Sequence, residues 1–310
     1  MKKHIILGAG GAIGNVLANE LLNNKETFKL VSRSGHRIEG GDATKADLLN
    51  FKELSQTIDE SAIVYLTAGL QYDHAVWKEQ WHKIMENTIA ACKAKNASLI
   101  FFDNVYMYGR VEGSMTEETS INPCSKKGEI RARIAELLLS EVKKNNISAI
   151  IARAADFYGP YTQKSSVPQL LVFDKLSKGQ KANWFVNANA KHSYTYTGDC
   201  GRALYLLSKA ERAFNQVWHL PTAHPPITGK EFIAVVARKL GVEPKYMVLN
   251  KIMLRLAGFF DKTIAESYEM LYQSEFDYVF DSSKFEKQFQ FAPTSYEKGI
   301  EETVNFYYKK

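Results

Sequence analysis

An α/β fold, doubly wound around a parallel sheet with a smaller, loop-rich C-terminal lobe, is what this 310-residue sequence predicts. Three observations predict it. Short apolar runs alternate with longer amphipathic runs through the first half, the rhythm of strands with helical crossovers. The short runs are almost continuously apolar, as strands covered on both faces are. Prolines then crowd the second half: Pro160, Pro168, Pro221, Pro225, Pro226, Pro244 and Pro293 follow residue 159, against Pro123 before it.

The elements follow in order. His4-Ile5-Ile6-Leu7 reads as the first strand and residues 12–22 as the first helix. Strands are expected at 28–31, 62–66, 98–102 and 147–151. Helices are expected at 79–95 and 129–142, the second carrying Ile130, Ile134, Leu137 and Leu138 on one side. Further helical patterns cover 201–209 and 230–240. The apolar stretch 251–260 reads as a core or interface helix.

The net charge is +6, with no basic run longer than two lysines, so nucleic acid is not an expected partner. The three cysteines (Cys92, Cys124 and Cys200) lack paired spacing and fit a reducing compartment. No apolar run reaches the roughly 18 residues a membrane span needs. The start resembles a signal peptide only until Gly8 and Gly10 interrupt it. The expectation is a cytoplasmic protein without a membrane partner.

The segment Gly8-Ala9-Gly10-Gly11-Ala12-Ile13-Gly14 joins the first strand to the first helix. Glycines there permit a tight turn, close approach of a pyrophosphate and close helix–strand packing. The helix N-terminus then offers free N–H donors to phosphate. Inside a βαβ unit this reads as a Rossmann dinucleotide loop, with Gly8, Gly11, Ala12, Ile13 and Gly14 as contacts. Residues 1–159 form the expected dinucleotide-binding domain. Residues 160–310 form most of the substrate lobe, with segments near 192–220 and 276–282 returning to the first domain. The second strand ends in Ser32-Arg33-Ser34 without the carboxylate that commonly holds the NAD ribose. Arg33 suits a 2′-phosphate, so NADP is expected over NAD.

Further segments carry a resemblance. Gly41-Asp42-Ala43, Thr67-Ala68-Gly69, Asn87, Tyr106-Met107-Tyr108-Gly109, and Arg153 through Pro160 resemble, in order, segments of the extended short-chain dehydrogenase/reductases of the NAD-dependent epimerase/dehydratase family. The resemblance implies that Asp42, Ala43, Thr67, Ala68, Gly69 and Asn87 contact the cofactor. It also implies a small carbonyl or sugar-type substrate and a homodimer through the helices at 79–95 and 129–142.

The family's Ser or Thr is replaced, four positions before Tyr108, by Asn104. Its Tyr and Lys, four apart on a helix, have no counterpart, since no tyrosine lies between Thr116 and Ser148. One register places Gly128 and Ala132 there; the other places Lys127 and Arg131. The expected catalytic group is therefore Asn104 for orientation, Tyr108 or Tyr106 as acid, and Arg131 or Lys127 for electrostatics. Asp156, Tyr158, His192 and Tyr194 are expected on the substrate side, and no metal is expected. Two other readings stand beside hydride transfer. One is an NADP-binding sensor that has lost catalysis. The other is a lyase or isomerase using Asp103 or Asp156.

Overall fold

A computed structural model describes residues 3–163 and 165–309. Seven strands form the central sheet: β1 (His4–Leu7), β2 (Phe28–Ser32), β3 (Gly41–Lys45), β4 (Ile63–Leu66), β5 (Ser98–Asp103), β6 (Ala149–Arg153) and β7 (Gln216–His219). Their order is β7-β6-β5-β4-β1-β2-β3, and every pair is parallel. The chain runs outward from β1 to β3 and then returns past β1 to β4. That reversal opens a crevice at the carboxyl ends of β1 and β4.

Helices cover both faces. Against one lie α1 (Ala12–Asn23) and α5 (Thr197–Lys209); against the other lie α2 (Phe51–Thr57), α3 (His74–Ala94) and α4 (Lys126–Lys143). All four residues of β1 are fully buried, which explains its unbroken apolar run. Helix α5 meets α1 at Gly201, where a Cβ would stand 2.8 Å from the Val16 carbonyl oxygen. Helix α3 begins five residues before the expected start. Asp73 caps it, its Oδ1 accepting from Ala75 N at 2.8 Å. Helix α4 likewise begins early, under a Ser125 cap.

The second half supplies a lobe packed around Tyr158, Phe173, Trp184, Tyr194, Phe232 and Ile300. It includes α6 (Gly229–Leu240), α7 (Lys251–Ala257) and α8 (Lys262–Ser267), followed by α9 (Ser283–Phe289) and α10 (Tyr296–Tyr308). Two stretches of the second half pack with the sheet domain. β7 extends the sheet edge, and Phe280 and Phe285 pack among sheet-domain residues. In the stretch 251–260 Leu254 is buried, whereas Ile252, Leu256, Phe259 and Phe260 face outward. Among the described residues no helix is long and apolar enough to cross a membrane.

Candidate active site

The glycine loop sits at the carboxyl end of β1. Gly8 and Gly10 take φ of +99° and +95°, a region costly for other residues. A Cβ on Gly8 would lie 2.4 Å from Ala68 Cα, and one on Gly14 would lie 3.0 Å from the Gly8 carbonyl oxygen. The backbones of the first loop and of Thr67-Ala68 therefore touch. Thr67 locks the contact by donating Oγ1–H to the Leu7 carbonyl at 3.2 Å. Helix α1 starts at Gly11 with no side-chain cap and no acidic residue in its first turn. Ala12 and Ile13 are buried beneath. Gly69 is open on its Cβ side. This cradle fits a dinucleotide pyrophosphate.

At the end of β2, Ser32 Oγ accepts from His36 N at 2.9 Å and so fixes the following turn. Arg33 and Ser34 are exposed. His36 reaches back over Gly10, its Nε2 3.0 Å from Asn15 Oδ1. The stem of Lys45 lies against Gly35, bringing a second cation to this loop. Expectation fails at Asp42 and Ala43. β3 pairs with β2 from Phe28↔Gly41 to Ser32↔Lys45, so Asp42 lies toward the end of the sheet away from the crevice and Ala43 at mid-strand. Asp42 stands 4.0 Å from Lys3 instead. The crevice end of β3 leads into Ala46, Asp47 and Leu48. Asn87 acts at one remove from the crevice: its Nδ2 donates to the carbonyls of Leu48 and Leu49 at 2.9 and 3.0 Å.

The start of α4 is filled. A Cβ on Gly128 would stand 2.6 Å from the Tyr106 carbonyl oxygen and 2.9 Å from Ser125 Oγ. Lys127 was expected to lend charge to a catalytic tyrosine. Its ammonium is buried and bound to Glu266 and, at 3.0 Å, to Glu269. Glu266 also accepts from His74 N at 2.9 Å, and Glu269 from Lys126 N at 2.7 Å, so the two acids cap α3 and α4. Arg131 was the other expected cation. It is buried on Asp103, with Nε donating to Oδ1 at 2.7 Å, and its guanidinium lies over Trp81 and Phe101. Both charges are already matched, so neither is free to favour a phenolate.

Tyr108 is corrected as an acid. His219 donates Nδ1–H to the Asp281 carbonyl at 2.8 Å, which leaves Nε2 to accept from the Tyr108 hydroxyl at 2.8 Å. That hydroxyl in turn accepts from Arg153 Nη1 at 2.7 Å. Burial drives the His219 pKa down to about 3. The phenol proton is thus locked in a buried chain. Tyr158 is also displaced from the substrate side. It is fully buried in the lobe core, edge-on to Phe232. Tyr106 stays at the crevice, half-buried and stacked on Trp77. Burial pushes its pKa well up, and Tyr72 and Asp156 add to the shift. Asn104 Oδ1 accepts from Tyr106 N at 3.1 Å, which leaves its Nδ2 as a donor.

Asp156 and His192 come together past the end of β6. His192 Nε2 lies 3.1 Å from Asp156 Oδ2, and Nδ1 lies 3.2 Å from the Gln273 carbonyl oxygen. The imidazole is sandwiched between Tyr194 and Tyr278, with centroids at 4.4 and 4.6 Å. Tyr194 is buried and also packs on Phe232, so it bridges this pair to the lobe core. Glu266, Glu269, Tyr278 and Gln273 had no signal in the sequence, because each acts across more than 80 residues. Among the described residues no cluster of acids, histidines and cysteines has the arrangement of a metal site.

Residues 4–219 match the model of the NAD dependent epimerase/dehydratase family. The chain belongs to that family. Its members are enzymes of the extended short-chain dehydrogenase type, as the resemblance implied. A curated relative, the uncharacterized UDP-glucose epimerase YtcB of Bacillus subtilis (strain 168), is 20% identical over 225 residues, covering 65% of this chain and 71% of that one. Among solved structures, dTDP-glucose 4,6-dehydratase from Bacillus anthracis str. Ames, in complex with NAD, superposes with a TM-score of 0.80 at 16% identity. That match covers 99% of this chain and 96% of the other. The UDP-glucuronic acid 4-epimerase of Bacillus cereus, with UDP-glucuronic acid and NAD, gives 0.79 at 17% identity over 98% of both chains. These likenesses carry the fold: a doubly wound sheet with a second lobe over its crevice. Within that family frame, α4 of this chain has no tyrosine, and Gly128 has no room for a side chain.

Proposed function

We propose that this protein is an NADP-dependent oxidoreductase or epimerase/dehydratase-type enzyme. It acts by hydride transfer on a carbonyl or alcohol of a sugar-type substrate, sugar nucleotides included, with an acid/base group drawn from outside α4. The observation that carries the reading is the contrast at the crevice: an open glycine cradle beside an α4 start whose charges are already matched.

The cofactor would lie with its pyrophosphate at Gly8–Ile13 and its adenosine ribose by Ser32, Arg33 and Ser34. Arg33 is exposed, and among the described residues no carboxylate pairs with it. A charge-assisted contact to a 2′-phosphate contributes about 1.5–3 kcal/mol, and Lys45 stands near enough to add to it. The neighbours named above were crystallised with NAD, so the preference rests on this loop alone. When bound, the dinucleotide supplies or accepts a hydride. Asn104 Nδ2 orients the substrate oxygen, and Trp77, Tyr106 and Tyr72 wall the site against water. A second copy docking along α3 and α4 is part of the same proposal. An apolar groove of about 470 Å³ runs along α4, past Ile121, Ala132 and Leu139.

The test pairs binding with turnover. NADPH and NADH are titrated by nicotinamide fluorescence. A panel of UDP-glucose, UDP-glucuronic acid and dTDP-glucose is then assayed for products, because an internal redox cycle leaves no absorbance change. Tighter NADPH binding with product formation supports the proposal. Tighter NADH binding removes the cofactor choice. NADPH binding without turnover on any sugar nucleotide or simple carbonyl favours a sensor, the second reading that the filled start of α4 supports.

A further inference from the structure

Two histidines in this protein make the same first hydrogen bond and differ in the second. His219 Nδ1 faces the Asp281 carbonyl, and its Nε2 faces a tyrosine hydroxyl, which can donate. His192 Nδ1 faces the Gln273 carbonyl, and its Nε2 faces the Asp156 carboxylate, which when ionised can only accept. A carbonyl oxygen has no proton to give. An imidazole placed between two such acceptors makes both bonds only if the pair holds one proton beyond that of a neutral ring and an ionised carboxylate. His219 needs no extra proton; His192 with Asp156 does.

The pair also stands in the right place. Asp156 is the third residue past β6, on the crevice side of the sheet. Its side chain is 25% exposed, whereas that of His192 is 5% exposed. The ring is clamped between Tyr194 and Tyr278, which fixes its plane. Tyr72, Tyr106 and Tyr272 complete the surround: burial raises the pKa of each, and the Asp156 charge adds to it. Those phenols hold their protons, so none competes to protonate or deprotonate the pair. Tyr106 follows β5, feels the Asp156 charge, and donates its N–H to Asn104 Oδ1, the residue assigned to orient a substrate oxygen.

We infer that Asp156 is the acid/base group of this enzyme, and that His192 is the positioning residue that holds its transferable proton. This rests on the hydride-transfer reading above. In the reducing direction the substrate carbonyl carbon gains the hydride, with its two electrons, that the reduced dinucleotide gives up. The C=O π pair becomes the new O–H bond, using the proton shared between His192 Nε2 and Asp156 Oδ2. The pair is left as neutral imidazole and carboxylate until solvent returns a proton. The oxidising direction runs the same transfers backward. The resting proton is assigned to Nε2, where it completes the bond that the ring makes to the carboxylate while Nδ1–H serves the Gln273 carbonyl.

The test reads that proton without needing a substrate. Imidazole nitrogen NMR on protein labelled at histidine is recorded at neutral pH, with His192→Gln to assign the signal. The expected result is a protonated Nε2 at His192 and an unprotonated Nε2 at His219. In Asp156→Asn, whose amide can donate, His192 Nε2 becomes unprotonated. An unprotonated Nε2 at His192 in the unmodified protein overturns the inference, whether or not the variants fold. NADPH affinity, measured in parallel, should stay within about threefold in Asp156→Asn. A protein that binds NADH more tightly fails the cofactor reading and leaves the dyad standing. With a substrate from the sugar-nucleotide panel, Asp156→Asn loses at least about 100-fold in kcat, the lower range for general acid–base catalysis. Full turnover in that variant also overturns the inference.

Discussion

Two helices begin beside the crevice, and they are prepared in opposite ways. Helix α1 starts at a glycine, with no side-chain cap and no acid in its first turn. Helix α4 starts at Ser125, whose Oγ accepts from Gly128 N at 3.0 Å, and Glu269 reaches its first amide. The first leaves its positive end for something from outside. The second is satisfied by the protein's own carboxylates, and its lysine is matched as well. A helix N-terminus is an anion site only when the chain withholds its own anions. The family fold is kept at both places, but only the first remains arranged for a ligand.

The contrast can be broken most severely at Gly8. A Gly8→Val side chain meets the Ala68 backbone, so dinucleotide binding should fall below detection in a fluorescence titration. Retained affinity would mean that the cradle is not the site. Lys127→Met should act in the opposite sense. It strands two carboxylates and should cost about 3 kcal/mol in urea unfolding, while NADPH affinity stays unchanged. A tenfold loss of affinity there would show that α4 serves the cofactor after all. Arg33→Ala should weaken NADPH by about 10- to 150-fold and leave NADH nearly untouched, the equivalent of 1.5–3 kcal/mol. Tyr108→Phe should cost about 1–3 kcal/mol of stability, because His219 Nε2 loses its donor and Arg153 an acceptor. Turnover should persist in that variant; its loss would return Tyr108 to the chemistry.

A pH slope checks the same buried histidines. Burial lowers His219 to about 3 and His4 to about 4, from an ordinary 6.5. Between those values the unfolded chain binds protons that the folded chain refuses. Stability should be fullest above pH 6.5 and fall as pH drops toward 4, by about 1.4 kcal/mol per unit for each histidine. Substituting His219 by Gln should flatten the slope by one such contribution, read from denaturant midpoints across that range.

The parts legible in the sequence were those written locally. The strand–glycine–helix junction at residues 4–23 announced itself through spacing, and the alternation of elements gave the sheet. What stayed hidden depends on distant partners. Lys127 meets Glu266 and Glu269 across 139 and 142 residues, and Tyr108 meets His219 across 111. No local pattern tells a free lysine from a matched one, so both expected cations were assigned to chemistry. β3 was missed for a different reason. It is a half-exposed edge strand opening on glycine, with none of the apolar continuity that marked β1 and β4. Asp156 and His192 were each visible as substrate-side residues. Their pairing was not, because it depends on the carbonyl of Gln273, in a short helical turn 81 residues further on, that aims the ring.

The most direct measurement is a crystal structure of the NADPH complex, read for the side chains around nicotinamide C4. The expected result is a pyrophosphate on the amides of the glycine loop and a nicotinamide facing Asp156, with Lys127 still on Glu266 and Glu269. A nicotinamide lying against α4, with Lys127 released toward it, would contradict the division between the open and the filled helix.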